Sequence, residues 1–165
     1  MNISFIVDEM LGHVARWLRI AGYDVEFVNR ISDVDLLKIA IEEDRTLITS
    51  DKEFALKARK NGVNVIFITS SDSLNALSHI AANLSLSMEP RMVRCTVCNG
   101  LLKFWKGGPL NVGYPIPREG IDLWVCEACG RVYWKGTHWV SMCKFLRRVS
   151  EEAQRLRAAT GITSP

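Results

Sequence analysis

Hydrophobic and polar residues change rhythm along this chain, and each change predicts an element. Residues 3–7 form a short β-rich run that ends abruptly at Asp8-Glu9. Residues 10–21 then show helical spacing, with Leu11, Val14, Ala15 and Leu18 on one face and Trp17 beside them. Gly22 is placed to close that helix. Residues 24–28 alternate polar and apolar, as a strand does. Ser32 suits the N-cap of the next helix, with Asp33 and Asp35 in its first turn and Leu36, Leu37, Ala40 and Ile41 as its apolar stripe. Residues 45–49 read as another strand, again followed by an acid, Asp51. A helix over 52–60 is stopped by Asn61-Gly62, and a strand over 63–68 and a helix over 73–84 follow.

This alternation of strand and helix predicts an α/β fold with a mostly parallel sheet, helices on both faces and right-handed crossovers. Pro90-Arg91 marks the expected end of that unit. Glycine and proline are then dense from 107 to 120, which is turn chemistry. Residues 121–125 and 131–135 read as short strands flanking Cys126 and Cys129, and 138–159 as a helix. The expected division is an α/β unit over 1–90, a small β-rich ribbon over 91–146 and a basic C-terminal helix and tail over 147–165.

Charge divides at the same place. Residues 1–90 carry a net charge of −4 and residues 91–165 a net charge of +7. The acidic half suits cations and the basic half a polyanion, although such imbalances are often only solvated surface. No apolar run approaches the roughly 18 residues of a membrane span. The N-terminus lacks the basic start of a signal peptide, so the expectation is a cytoplasmic protein with no membrane partner.

Asp8 and Asp51 each lie just past a strand, and Asp33 and Asp35 lie in the loop or first helical turn after another. In parallel α/β sheets, ligands bind outside the carboxyl ends of the strands, so these acids can converge on one edge. Grouped carboxylates repel unless a cation neutralises them, and Mg²⁺ or Mn²⁺ suits an all-oxygen site. Such ions promote attack of water on a phosphodiester. The competing reading of each acid is an N-cap for the following helix. Next to Asp8, His13, Arg16 and Arg19 are spaced to share a helix face that can meet phosphates, or that can simply be solvated.

Cys95-Thr96-Val97-Cys98 and Cys126-Glu127-Ala128-Cys129 form two C-x-x-C units. Four thiolates so spaced suit Zn²⁺ in a closed structural site. A small segment rich in Gly and Pro needs such a staple. Iron in the same cage, as in rubredoxin-like carriers, is the competing reading, but neither unit has the proline usual in those knuckles. Cys143 is left over as a small apolar residue. Around the second unit, Trp124, Arg131, Tyr133, Trp134, Lys135, His138 and Trp139 interleave aromatic and basic groups, a mixture that binds single-stranded nucleic acid or packs as ribbon core. Lys144, Arg147 and Arg148 add a basic cluster on the last helix.

Several stretches, Gly22-Tyr23-Asp24 among them, resemble the Mut-seven C-terminal RNase family. The others are Phe5 to Asp8 continuing through Leu11-Gly12-His13-Val14-Ala15-Arg16-Trp17-Leu18-Arg19, the acid-containing blocks ending at Leu37 and Asp51, and Cys126 through Trp139. The likeness covers about residues 3–146. It implies a PIN-like Rossmannoid domain fused to a zinc ribbon, and a metal-dependent ribonuclease. By position, Asp8, Asp33 and Asp51 match the acidic cluster, with Asp35 and Glu53 as supporters. Ser50 stands where the family usually has Arg, so the resemblance carries over the carboxylate of Asp51 but not that Arg's phosphate contact. The expected function is a Mg²⁺- or Mn²⁺-dependent endoribonuclease acting on RNA, most simply single-stranded, with a structural Zn²⁺. The alternative is a non-catalytic RNA-binding module whose acids are only caps.

Overall fold

The computed structural model describes residues 3–110, 112–117 and 120–161. Strand β1 (Ser4–Val7) is followed by a 3-10 turn at Glu9–Leu11 and by helix α1 (Gly12–Ile20). Then come β2 (Asp24–Glu26), α2 (Asp33–Glu42), β3 (Thr46–Thr49), α3 (Lys52–Lys60), β4 (Val65–Phe67) and α4 (Ser73–Leu84). The four strands form one parallel sheet in the order β2-β1-β3-β4. The α/β architecture expected from the strand–helix alternation is therefore present.

Alternation along the strands builds two cores. Phe5, Val7 and Ile48 face one side and pack with Val14 and Leu18 of α1 and Leu77 and Ile80 of α4. Ile6 and Leu47 face the other side and pack with Leu36 and Leu37 of α2 and Phe54 of α3. The side-chain period of two thus sends neighbouring residues of one strand into opposite layers. The helices start where their caps are. Ser32 Oγ accepts from Asp35 N, Asp51 from Phe54 N and Asp72 from Asn75 N, each satisfying a free N–H of the first turn.

Beyond Pro90 the chain forms a three-stranded antiparallel sheet, β5 (Leu102–Phe104), β6 (Leu123–Cys126) and β7 (Val132–Trp134), and then α5 (Thr137–Thr160). Strand β5 was not among the expected elements. The division expected between 146 and 147 falls inside α5, which is one continuous helix of 24 residues. Its Leu146, Val149 and Ala153 are buried in the same core as β1 and α4. Burying Leu146 and Val149 fully stabilises this return of the chain by about 1.5–3 kcal/mol each. Among the described residues no helix is long and apolar enough to cross a membrane.

Arg19 joins the ribbon to the sheet. The residue is 4% exposed. Nε and Nη2 donate to the Val25 carbonyl at 2.9 and 2.8 Å, and Nη1 donates to the Val97 carbonyl at 2.9 Å. The exposed basic face expected to run from His13 through Arg16 to Arg19 therefore ends at Arg16. Arg19 is turned inward because α1 packs between β2 and the first cysteine turn, whose carbonyls need donors. A second tie centres on Asp24, which pairs with Arg45 at 2.8 Å and Arg94 at 2.9 Å and accepts from Asn99 Nδ2 at 2.9 Å. Burial raises the Asp24 carboxyl, but the hydrogen bonds from Arg45 and Asn99 and the charges of Arg45 and Arg94 outweigh it and hold the group below its ordinary value.

Arg19→Ala is expected to destabilise the protein by about 3 kcal/mol, because a charged donor is lost and buried carbonyls are left unpaired. It is expected to leave RNA affinity unchanged where the variant remains folded. Urea unfolding reads the first effect. A low-salt RNA titration reads the second, and weakened RNA binding by the folded variant would return Arg19 to the surface role.

Candidate functional site

The carboxyl edge of the parallel sheet gathers the chain's strand-end acids. From β1 the chain passes to the neighbouring β2, and from β2 it crosses back to β3 on the other side of β1. The reversal of strand order lies between β1 and β3, the place where open α/β sheets form their crevice. Val7 pairs with Ile48 at the ends of these strands. Asp8 follows the first and Thr49-Ser50-Asp51 closes the second.

Thr49 links the two acids. Its side chain is fully buried, and its Oγ1 donates to Asp8 Oδ2 at 2.7 Å while accepting from Asp51 N at 3.0 Å. One hydroxyl therefore fixes the Asp8 carboxylate and the backbone that presents Asp51. Asp8 N also donates to Ile48 O at 3.0 Å. Thr49 was missed as a functional candidate. The available signal was a hydroxyl closing an otherwise apolar strand, two residues before an acid.

The acids differ in what else they do. Asp8 precedes the 3-10 turn and makes no side-chain cap. Asp51 Oδ1 caps α3 by accepting from Phe54 N at 2.8 Å. Asp35 is held in a reciprocal cap, with Ser32 Oγ donating to its Oδ2 at 2.6 Å and its own N–H donating to Ser32 Oγ at 3.1 Å. Asp33 is exposed in the first turn of α2, and Glu53 is exposed in that of α3. These acids do not close into a cage. Among the described residues, the four cysteines are the only group of three or more candidate ligands whose ligand atoms all lie within 4.8 Å. The edge thus offers oxygen donors that are held apart.

The cysteine centre is closed. Cys95 and Cys126 are buried and Cys98 and Cys129 exposed, and none is in a disulfide. Cys95 and Cys129 Sγ are 3.7 Å apart, and Cys98 and Cys126 Sγ are 3.5 Å apart. A tetrahedron of ~2.3 Å metal–sulfur bonds requires about 3.8 Å between sulfurs, so the cluster fits a metal such as zinc. Two tight turns shape it, with Asn99 (φ 65°) and Gly130 (φ 71°) in the left-handed region. Gly100 is needed for another reason: a Cβ there would lie 2.8 Å from Ala128 Cβ and 2.9 Å from Cys126 Sγ. Burial opposes ionisation of Cys95, but the Tyr133 hydroxyl at 3.0 Å and the backbone amides of Cys98 and Val97 bring it down to about 6. Burial and the neighbouring thiols push Cys129 up to about 12. A divalent cation relieves that opposition among the four sulfurs, and the Arg19 guanidinium beside Cys95 and Cys98 adds charge of the same sign.

The remaining basic candidates separate by location. Lys135 extends over the rings of Trp124 (5.4 Å) and Trp139 (5.2 Å). His13 and Arg16 of α1 and His138 of α5 line one cavity of about 750 Å³ between α1, the ribbon and α5. Lys144, Arg147 and Arg148 are exposed on α5, with Arg147 lining a different hollow beside Pro90 and Cys143. Trp17 is stacked on Phe145 at 4.3 Å and belongs to the join between α1 and α5.

No curated protein and no solved structure matches the chain. The sequence model of the Mut7-C RNAse domain matches residues 3–146, a span that takes in the acid-bearing sheet, all four ligand cysteines and the first ten residues of α5. By that match over most of its length, the chain belongs to the Mut7-C RNAse domain family.

Proposed function

We propose that the protein is a Mg²⁺- or Mn²⁺-dependent endoribonuclease acting on single-stranded RNA at the carboxyl edge of its parallel sheet. The observation that carries this reading is the buried Thr49 hydroxyl, which bonds Asp8 Oδ2 and the amide of Asp51 at the point where strand order reverses. Membership of an RNase domain family gives the reading its substrate class.

In this reading Asp8 and Asp51 would hold the ion from the ends of adjacent strands, with Asp33 contributing from the start of α2. Asp35 supports that turn through its cap with Ser32. When bound, the ion supplies positive charge to the phosphate and favours ionisation of water. Asp8 keeps one oxygen on Thr49, and its other oxygen would be available to hold the ion. Asp51 uses one oxygen to cap α3 and likewise keeps one available. The cysteine cluster holds a structural Zn²⁺. The units are a nuclease sheet, PIN-like in type, a zinc ribbon and a basic terminal helix, with RNA gripped by the ribbon and by α5 through Lys144, Arg147 and Arg148. A cytoplasmic setting suits free thiols as metal ligands.

A second reading is supported by the caps. Asp35 and Asp51 have full structural explanations at their helix starts, which is what a non-catalytic RNA-binding module would show. The two readings part on metal dependence. Zinc-loaded protein incubated with labelled single-stranded RNA is expected to cut it in Mn²⁺ or Mg²⁺ and to leave it intact without either. RNA bound with salt-dependent affinity but uncut in every condition would favour the binding module.

A further inference from the structure

We propose that the cavity between α1, the ribbon and α5 is a receptor for one unpaired nucleotide of the RNA strand, base inside and phosphate at its rim. The proposal rests on the RNA-cleaving reading for its substrate class and adds a site that reading does not contain.

Composition of the wall is the first observation. The cavity, of about 750 Å³, is lined by aromatic groups including Tyr133, Trp134 and Trp139 and by cationic ones including Arg16 and Arg91, and none of its lining residues is acidic. Its volume falls in the range of small-ligand pockets. Neither Arg16 nor Arg91 pairs with a carboxylate among the described residues, so their charge is available to an anion. Arg94, the third arginine of the wall, is already held by Asp24.

The second observation is independent. His13 Nε2 is buried and has no hydrogen-bond partner, the only side-chain nitrogen or oxygen so left among the described residues. Buried polar groups in native proteins are nearly always satisfied, so this lone exception on a residue of the cavity wall marks a ring that would gain a partner on turning Nε2 toward the cavity. A base edge or a ribose hydroxyl supplies donors and acceptors of the right kind.

The third is the bracing of the aromatic wall. Lys135 lies over the Trp139 ring and over that of Trp124, tying the first turn of α5 to β6. A ring held in this way presents a surface for stacking at little entropic cost, and stacking is indifferent to which base arrives. A duplex keeps its bases paired and cannot insert one, so the site selects single strands. His13 lies five residues from Asp8, so the two Cα atoms are separated by no more than about 18 Å. One strand can therefore occupy the cavity while a phosphate within a few nucleotides of it meets the acid edge.

The test is a binding titration of the zinc-loaded full chain with no added Mg²⁺ or Mn²⁺, read by anisotropy of a short fluorescein-labelled oligoadenylate. Arg16→Ala and His138→Ala remove exposed side chains of the wall and leave the core intact. Each is expected to weaken binding roughly five- to tenfold, with unchanged zinc content and circular dichroism. AMP is expected to displace the probe where inorganic phosphate at the same concentration does not, and blunt duplex RNA is expected to compete poorly.

Variants that bind like the parent would overturn the proposal. Equal displacement by phosphate would reduce the site to an anion patch and overturn it too. AMP binding tighter than oligoadenylate would assign the cavity to a free nucleotide instead of a strand. Failure here is distinct from failure of the nuclease reading. A parent that never cuts RNA yet loses binding in these variants keeps the receptor and loses the nuclease. A parent that cuts while the variants bind normally does the reverse.

Discussion

Cys126→Ser is expected to release the structural metal and melt the ribbon while the parallel sheet stays folded. Among the described residues from Cys95 to Trp134, only Cys95, Asn99, Cys126 and Val132 are buried, so the ribbon has almost no apolar core of its own. Structural zinc in comparably small modules contributes about 10–16 kcal/mol of apparent binding free energy, most of it consumed in ordering the chain. Remove one buried thiolate and the two turns lose their common ligand. Gly100, packed against Cys126 Sγ and Ala128, then has nothing to close upon.

The sheet has separate support. Its two cores draw on α1, α2, α3 and α4, and α5 stays anchored by Leu146, Val149 and Ala153. Hydrogen exchange separates these outcomes. Amides such as Cys95, Asn99 and Cys126 should lose orders of magnitude of protection, while Phe5, Ile6 and Leu47 keep theirs. Elemental analysis should show one zinc per parent chain and almost none in the variant. Ribbon amides that remain protected without metal would mean that the cysteines are not its core.

How much of this was readable in advance depended on whether the determining contacts were local. Helix α3 falls on the residues that its punctuation marks, because Asp51 caps its start and Asn61-Gly62 stops it, and α4 falls on the expected 73–84. The two C-x-x-C units announce the metal centre through spacing alone. Strand β5 was not legible: Leu102-Lys103-Phe104 is short and largely exposed, and its pairing with β6 is set by chain far away in sequence.

The same limit explains Arg19. A basic residue three after Arg16 reads as the continuation of an exposed face. Its burial is decided by carbonyls of Val25 and Val97, the second of them in the ribbon. The placement of α5 is similar. The spacing of Leu146, Val149 and Ala153 announces an apolar stripe but not that the stripe returns to the first sheet's core. For the acids, the position after each strand was legible, and the structure added the distinction between them: Asp51 caps α3, Asp35 is tied to the Ser32 cap of α2, and Asp8 caps nothing.

That distinction makes Asp8 the most informative position for the proposed chemistry. Asn is nearly isosteric with Asp and keeps a side-chain oxygen to accept from Thr49, so Asp8→Asn should fold, bind zinc and retain the join between β1 and β3. What it loses is the negative charge. A preorganised electrostatic group at the reacting centre contributes about a hundred- to a thousandfold in rate, and an acid that holds the ion is expected to reach or exceed the upper figure. Asp35→Asn, whose carboxylate is occupied by Ser32, should lose much less.

The most direct measurement is the single-turnover rate of single-stranded RNA cleavage in Mn²⁺, parent beside Asp8→Asn, at matched zinc content. The account predicts metal-dependent cutting by the parent and a loss of about a thousandfold in the variant. Cleavage by Asp8→Asn at the parent's rate would contradict it and place the chemistry elsewhere.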